Sequence, residues 1–226
     1  MAPLWSTKMI ASDLEALAQT HGLSLLGGFH TDARDMSHFP ENTQSLLLFG
    51  PMLQHFWPLF IESPESNDGD PDPMDRWSIR NISAMAQIVG GQALFPFGGP
   101  PFLPFYSWAL QSGRAWESPV KLLVHDRQGL WLSYRGAIAL PYRYDLPPPT
   151  KRPCESCADK PCLNACPTQA LVLGHYDVPA CRAFLKTDLG TGCLSQGCTV
   201  RRACSVTLSC ARVEGHSAYH MGVFNR

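Results

Sequence analysis

The chain has 226 residues, of which 45% are hydrophobic, and a formal net charge of −1. This length fits one large domain or two modest ones, and this hydrophobic content excludes a largely disordered chain. A charge near zero provides no basic surface for nucleic acid, so we expect no nucleic-acid partner. Residues 1–22 contain no apolar run of the length of a signal peptide or membrane span. We therefore expect a cytoplasmic protein without a membrane partner.

The first part of the chain predicts helices and strands in alternation. Residues 1–22 are typical of a short helix that ends at a glycine. The apolar runs 23–26 and 45–49 each end at a glycine pair or a Gly-Pro pair, which predicts two buried strands. Residues 73–89 have apolar side chains at helical spacing and stop at two glycines, so they predict a helix. The sequence thus predicts an α/β unit that binds a cofactor or substrate over residues 1–146.

An apolar and irregular stretch follows at residues 93–105. It contains four phenylalanines among prolines and glycines, a composition that cannot form regular structure over this length. One interpretation is a loop folded into the core. The other is a wall for a large planar ligand, because cofactor pockets are mostly aromatic and apolar. Under the second interpretation, the candidate cofactor-binding residues are Phe97, Phe102, Phe105 and Trp108.

Two apolar runs and a proline tract lead to the last third of the chain. Residues 121–125 and 130–134 flank an Asp-Arg-Gln-Gly segment, which predicts a β-hairpin. Three consecutive prolines at residues 147–149 form a stiff spacer. We place the boundary between residues 1–146 and a cysteine-rich unit, residues 147–226, at this spacer.

All nine cysteines lie in this second unit. The first four are Cys154, Cys157, Cys162 and Cys166, and Pro167 follows them. Thiols at such spacings can converge on a metal centre, whereas disulfides would require an oxidising compartment. Structural zinc also uses Cys-x-x-Cys pairs and stays an alternative. Its additional ligands would be His175, His216 and His220.

Residues 154–167 resemble the bacterial two-cluster ferredoxin motif, in which three cysteines hold one iron–sulfur cluster and the fourth reaches a second. Two departures are the longer gap between Cys157 and Cys162 and the irregular spacing of the later cysteines. The resemblance implies two [4Fe-4S] clusters. The implied ligands are Cys154, Cys157, Cys162 and Cys204 for cluster 1, and Cys166, Cys181, Cys193 and Cys198 for cluster 2. Cys210 has no role in this scheme, and we expect it to be a buried, inert thiol.

Residues 109–166 also resemble epoxyqueuosine reductase and its relatives. The matching segments are residues 110–116, residues 122–125 with 129–131, and the cysteine run, and residues 179–185 fall where that family has an isolated cluster cysteine. This resemblance implies an α+β protein. Its N-terminal nitroreductase/CblC-like α/β domain would bind cobalamin, and a small two-cluster ferredoxin-like domain would follow and deliver electrons to the cobalt.

One departure from that family bears on the reaction. Residues 95–111 contain no acidic residue where the reductase carries a catalytic aspartate, so we do not expect epoxide reduction. The sequence also shows neither the helical repeats that help the reductase bind tRNA nor a basic stripe in their place, so we do not expect a tRNA substrate. The sequence favours an iron–sulfur redox protein, a candidate oxidoreductase. A flavodoxin, ferredoxin or reductase would supply electrons, and cobalamin or a small-molecule substrate held by residues 1–146 would receive them. The alternatives are an electron carrier or cobalamin-handling protein without substrate chemistry, and a zinc-stapled interaction module.

Overall fold

The structure, a computed structural model, describes residues 11–32, 38–210 and 212–226, with the backbone alone at residues 11 and 12. The helices are α1 (Ala11–Thr20), α2 (Phe56–Ile61), α3 (Pro64–Asn67), α4 (Pro73–Ile88), α5 (Phe105–Gln111), α6 (Pro153–Ser156), α7 (Val178–Leu185), α8 (Thr191–Gln196), α9 (Thr199–Arg202) and α10 (Glu214–Phe224). The strands are β1 (Leu23–His30), β2 (Ser45–Pro51), β3 (Gln92–Leu94), β4 (Ala115–Glu117), β5 (Leu123–His125), β6 (Gly136–Leu140), β7 (Leu171–Val172) and β8 (His175–Tyr176). Single 3-10 turns are present at Pro161–Leu163, Asp188–Gly190 and Thr207–Ser209.

A four-stranded antiparallel sheet, in the order β1-β2-β6-β3, organises the first part of the chain. Every residue of β2 is buried, because alternate side chains of this strand enter different cores. Leu47 and Phe49 pack with α4 on one face, whereas Leu46 and Leu48 pack with α5 on the other. The two predicted strands and the predicted helix over residues 73–89 are therefore confirmed as β1, β2 and α4. The helix predicted over residues 1–22 is present as α1, and residues 1–10 lie outside the described residues.

The predicted hairpin over residues 121–134 is wrong. β5 pairs with β4, and residues 130–134 form no strand. The backbone groups that a partner strand would need are bound by side chains from much later in the chain: the Leu130 N–H donates to Thr207 Oγ1 (3.1 Å), and the Leu130 carbonyl accepts from Arg201 (2.6 Å). Gly129 turns the chain at a φ of +54°, and a Cβ there would lie 2.5 Å from Thr207 Oγ1.

The cysteine-rich segment consists of short helices, 3-10 turns and the small β7-β8 ladder. Its apolar cluster is shared with residues that precede the predicted boundary: Val124 and Leu130 pack together with Leu171, Val200 and the cysteines around them. The expectation of mixed helices and strands is confirmed, with small antiparallel sheets. The assignment to nitroreductase/CblC-like and ferredoxin-like domains, and the boundary at residue 147, stay predictions. Among the described helices, none has both the length and the apolar character needed to cross a bilayer.

Candidate metal centres

The four cysteines assigned to cluster 1 line one cavity. They are Cys154, Cys157, Cys162 and Cys204. Three are presented by the short α6 and the 3-10 turn that follows it, and the fourth comes just after α9. Val124 and Leu130 add an apolar wall from the first part of the chain. We call this the first cysteine cavity.

The other four predicted ligands line a second cavity. They are Cys166, Cys181, Cys193 and Cys198. Cys181 lies in α7, Cys193 in α8, and Cys198 directly before α9, so three short helices converge here. The fold thus brings together, as two separate sets of four, the thiols that the ferredoxin resemblance assigns to two clusters. Their role as ligands stays a prediction. We call this the second cysteine cavity.

The thiols of each set affect one another electrostatically. Burial raises the pKa of Cys154, Cys162, Cys181 and Cys198. Neighbouring thiols of the same set raise these pKa values further, because each thiolate disfavours the charge of the next. A group of thiolates in such a cavity therefore requires a positive partner, which a bound metal centre supplies.

Cys166 differs from the other thiols. Burial alone would raise its pKa, but hydrogen bonds from the Thr168 hydroxyl and from backbone N–H groups at residues 168, 170 and 171 lower it. These donors point at the sulfur from the loop that leads into β7. Such donors stabilise a thiolate, which is the form that binds metal.

The histidines named for a zinc site lie elsewhere. His175 is exposed on β8. His216 and His220 contact each other on α10, with 3.1 Å between their Nε2 atoms, and neither lines a cysteine cavity. Within the described residues, no three Cys, His, Asp or Glu side chains are close enough to bind one metal ion together. Ligands of a cubane cluster stand further apart than those of one zinc ion, because each thiolate binds a different iron atom.

All nine cysteines are within the described residues and all are unpaired. Cys210 lies outside both cysteine cavities and donates a hydrogen bond to the Arg127 carbonyl (2.9 Å). It is partly exposed, which corrects the expectation that it is buried.

The four aromatic residues predicted as a ligand wall have different surroundings, and none of them lines a cysteine cavity. Phe105 and Trp108 are buried in the core beside the sheet, with their ring centroids 4.9 Å apart. Phe97 stacks on Phe95, and Phe102 is 64% exposed. For half of this set, the interpretation as a folded-in segment fits the observed packing better.

A cavity larger than either cysteine cavity adjoins the second one, and sequence reasoning missed it. We call it the arginine cavity. Its polar and aromatic lining includes Trp131, Ser133, Tyr176, Arg201, Arg212, Ser217 and His220. Cys181 and Cys198 line both cavities. The lining comes from residues 122–133, 171–181 and 197–224, and no local pattern indicates that these segments meet.

The residues that carry the resemblance near β4 and β5 form a buried network. Arg114 pairs with Asp126 (2.6 Å), Asp126 contacts His125 (3.1 Å), and His125 Nε2 lies 2.9 Å from the Leu26 carbonyl of β1. Burial lowers the pKa of His125 to about 4, so this imidazole is neutral near pH 7. None of these side chains lines a cysteine cavity or the arginine cavity, and the network ties the β4-β5 pair to the main sheet.

Comparison with known proteins leaves the function to be argued from the residues described above. No protein-family model, no curated protein and no solved structure matches this chain.

Proposed function

We propose that this protein is an iron–sulfur redox protein in which eight cysteines hold two [4Fe-4S] clusters. The observation that supports this proposal is the presence of two separate cavities, each lined by four unpaired cysteines. Cysteine thiolates in sets of four are the usual ligands of such clusters. When bound, each cluster supplies the transfer of one electron at a time at low potential.

The residues around the thiols suit that role. Apolar side chains such as Leu130 and Val200 form part of the cavity walls and limit the access of water. Cys198 precedes α9, and backbone N–H groups of Val200 and Arg201 hydrogen-bond to its sulfur. Such bonds stabilise negative charge on the sulfur and adjust the reduction potential of a bound cluster.

We further propose a cytoplasmic setting, where thiols stay reduced, and a flavodoxin, ferredoxin or reductase as the electron donor. The acceptor would be cobalamin or another small molecule. The arginine cavity supports an acceptor bound next to Cys181 and Cys198, rather than one held on the aromatic loop of residues 93–105. Anaerobic titration with cob(II)alamin tests the first candidate, since binding changes the corrinoid spectrum.

The proposed clusters are tested by anaerobic iron and sulfide analysis. The intact protein should contain about eight iron and about eight sulfide per chain. The variants Cys204→Ser and Cys181→Ser should each contain at most half of the iron and half of the sulfide of the intact protein, because each substitution removes a ligand from one set of four. Cys210→Ser is the matched control and should keep the full content, since Cys210 lines neither cysteine cavity. Zinc without sulfide in the intact protein would overturn the proposal.

A further inference from the structure

The arginine cavity carries positive charge without a matching acid. Arg201 and Arg212 line it, and no aspartate or glutamate does. Within the described residues, neither guanidinium has a carboxylate within 4.0 Å, whereas Arg76, Arg80, Arg114 and Arg135 each do. Buried charges in proteins are normally paired, so guanidiniums without a carboxylate on one cavity require a negative partner of another kind.

The two arginines have different neighbours. Arg201 donates to the Leu130 carbonyl and interacts electrostatically with Cys198, so it faces a predicted cluster ligand. Arg212 lies over the ring of Trp131, with its Cζ 4.9 Å from the ring centroid. The Coulombic neighbours that shift the pKa of Arg212 are arginines and include no cysteine. Arg201 is thus a counter-charge for the second cysteine set, and Arg212 is the cation left for a ligand.

Two hydrogen bonds hold the guanidinium of Arg212 in place, and some of its N–H donors have no partner in the described residues. Its Nε donates to Ser217 Oγ (3.0 Å) and its Nη1 to the Trp131 carbonyl (3.2 Å). An arginine has five N–H donors, so others stay available for a bidentate oxyanion. Burial, together with the nearby Arg201 and Arg135, lowers the pKa of Arg212 to about 9, an effect that a bound anion would reverse.

Ser133 is among the lining residues, and its hydroxyl is buried without a hydrogen-bond partner in the described residues. Buried hydroxyls are usually bonded, so this one is consistent with a polar group that the described residues do not supply. The rest of the wall is largely apolar, with Leu132, Met221 and Phe224 among its residues. The site therefore combines the charged guanidinium of Arg212 with an apolar surface around it.

We propose that the arginine cavity binds a small molecule with an oxyanion, a carboxylate or a phosphate, on an apolar body. The Arg212 guanidinium would bind the oxyanion, and the wall that contains Met221 and Phe224 would cover the body. The biological role of this binding rests on the proposed function, because the inference names the class of molecule held beside the second cysteine set. The binding itself depends only on the chain's own side chains.

Isothermal titration of the anaerobically purified full chain tests this inference, with iron and sulfide measured on the same sample. The probes are benzoate and phenyl phosphate, which distinguish a carboxylate from a phosphate, and benzyl alcohol, which has the ring without the charge. We expect one site per chain for at least one of the two anions, and binding of the alcohol that is at least tenfold weaker.

Substitutions locate the site. Arg212→Gln should weaken anion binding at least tenfold. Arg202→Gln is the matched control, because Arg202 lies in the same segment, bonds to Gly197 and Gln196, and does not line the cavity. If Arg212→Gln fails to fold, Met221→Glu and Met221→Gln replace it. The two have nearly the same shape, but only the first places a negative charge in the cavity, so it should bind the anion at least tenfold more weakly than the second.

The outcomes separate this inference from the proposed function. An iron-loaded protein that binds neither anion, or binds the alcohol equally well, overturns the inference alone. Anion binding that Arg212→Gln leaves unchanged, or that the two Met221 variants share equally, also overturns it. A protein without iron and sulfide that still shows Arg212-dependent binding supports the inference and overturns the clusters.

Discussion

In residues 11–146, a four-stranded sheet is covered on both faces by buried apolar side chains, with α4 on one face and α5 on the other. Residues 147–226 contain far less apolar packing. Apart from cysteines, the buried apolar residues described there are Ala170, Leu171, Leu185 and Val200. A segment of this size with so small a core usually needs disulfides or a metal for stability, and these thiols are unpaired. The difference indicates that the sheet is stabilised by burial, whereas the cysteine-rich segment would depend on the clusters that we propose its thiols bind.

Removal of iron should produce the largest difference in stability between the two regions. Because metal binding is coupled to folding where a preformed core is lacking, anaerobic chelation should open residues 147–226 and leave the sheet folded. Limited proteolysis read by mass spectrometry checks this. Cleavage should begin within residues 147–226 and spare β1, β2 and β6. Equal resistance of both regions before and after chelation would contradict the comparison.

Two leucine substitutions test the comparison between the sheet and the cysteine-rich segment more finely. Leu47 lies in the sheet core, and Leu130 lies on the wall of the first cysteine cavity, and both are fully or almost fully buried. Leu47→Ala and Leu130→Ala should each lower the free energy of unfolding by about 3 kcal/mol. Only Leu130→Ala should also reduce the iron content, because it loosens the cover of a cysteine set. Denaturant unfolding combined with iron analysis distinguishes the two, and a similar loss of iron in both variants would count against separate stabilisation.

The smallest expected effect concerns the contact between the regions. His216 of α10 is fully buried against α2, with its ring 4.7 Å from that of Phe56 and 5.8 Å from that of Trp57. Burial, followed by the nearby Arg212, lowers its pKa far below the usual value. The unfolded chain therefore binds the proton more readily, so this contact loses stability as the pH falls below about 6.5.

The loss attributable to His216 should reach about 2 kcal/mol at pH 5, if this imidazole stays neutral in the folded state. Denaturant unfolding between pH 7 and pH 5 measures it. His216→Met should flatten the pH dependence by that amount, whereas replacement of the exposed His175 by Gln should leave it as in the wild type. An unchanged slope in His216→Met would show that the contact between α2 and α10 does not respond to acid.

The elements that the sequence predicts well are those set by neighbouring residues. Apolar runs bounded by glycines identify β1 and β2, and helical spacing of Trp77, Ile82 and Met85 identifies α4. For these three elements, the information lies within a few residues of the element itself. The grouping of eight thiols into two sets comes from the ferredoxin resemblance and not from spacing alone, and their role as ligands stays a prediction.

What the sequence does not reveal depends on contacts between distant residues. Residues 130–134 have the composition of a strand, but Arg201 and Arg212 bind the carbonyls of Leu130 and Trp131 from more than 70 positions away. The same two arginines line the cavity that sequence reasoning missed. Phe105 and Trp108 resemble a ligand wall by composition and are core residues by packing, because nothing local distinguishes the two environments.

A single turn of helix, α9, separates Cys198 of one cysteine set from Cys204 of the other. Because only this short helical turn lies between the two thiols, a ligand that holds Cys198 in place also restricts the position of Cys204. If both sets are filled as proposed, assembly of either centre prepares the other to close. Maturation of the protein should then give fully loaded or empty molecules, with few carrying a single cluster.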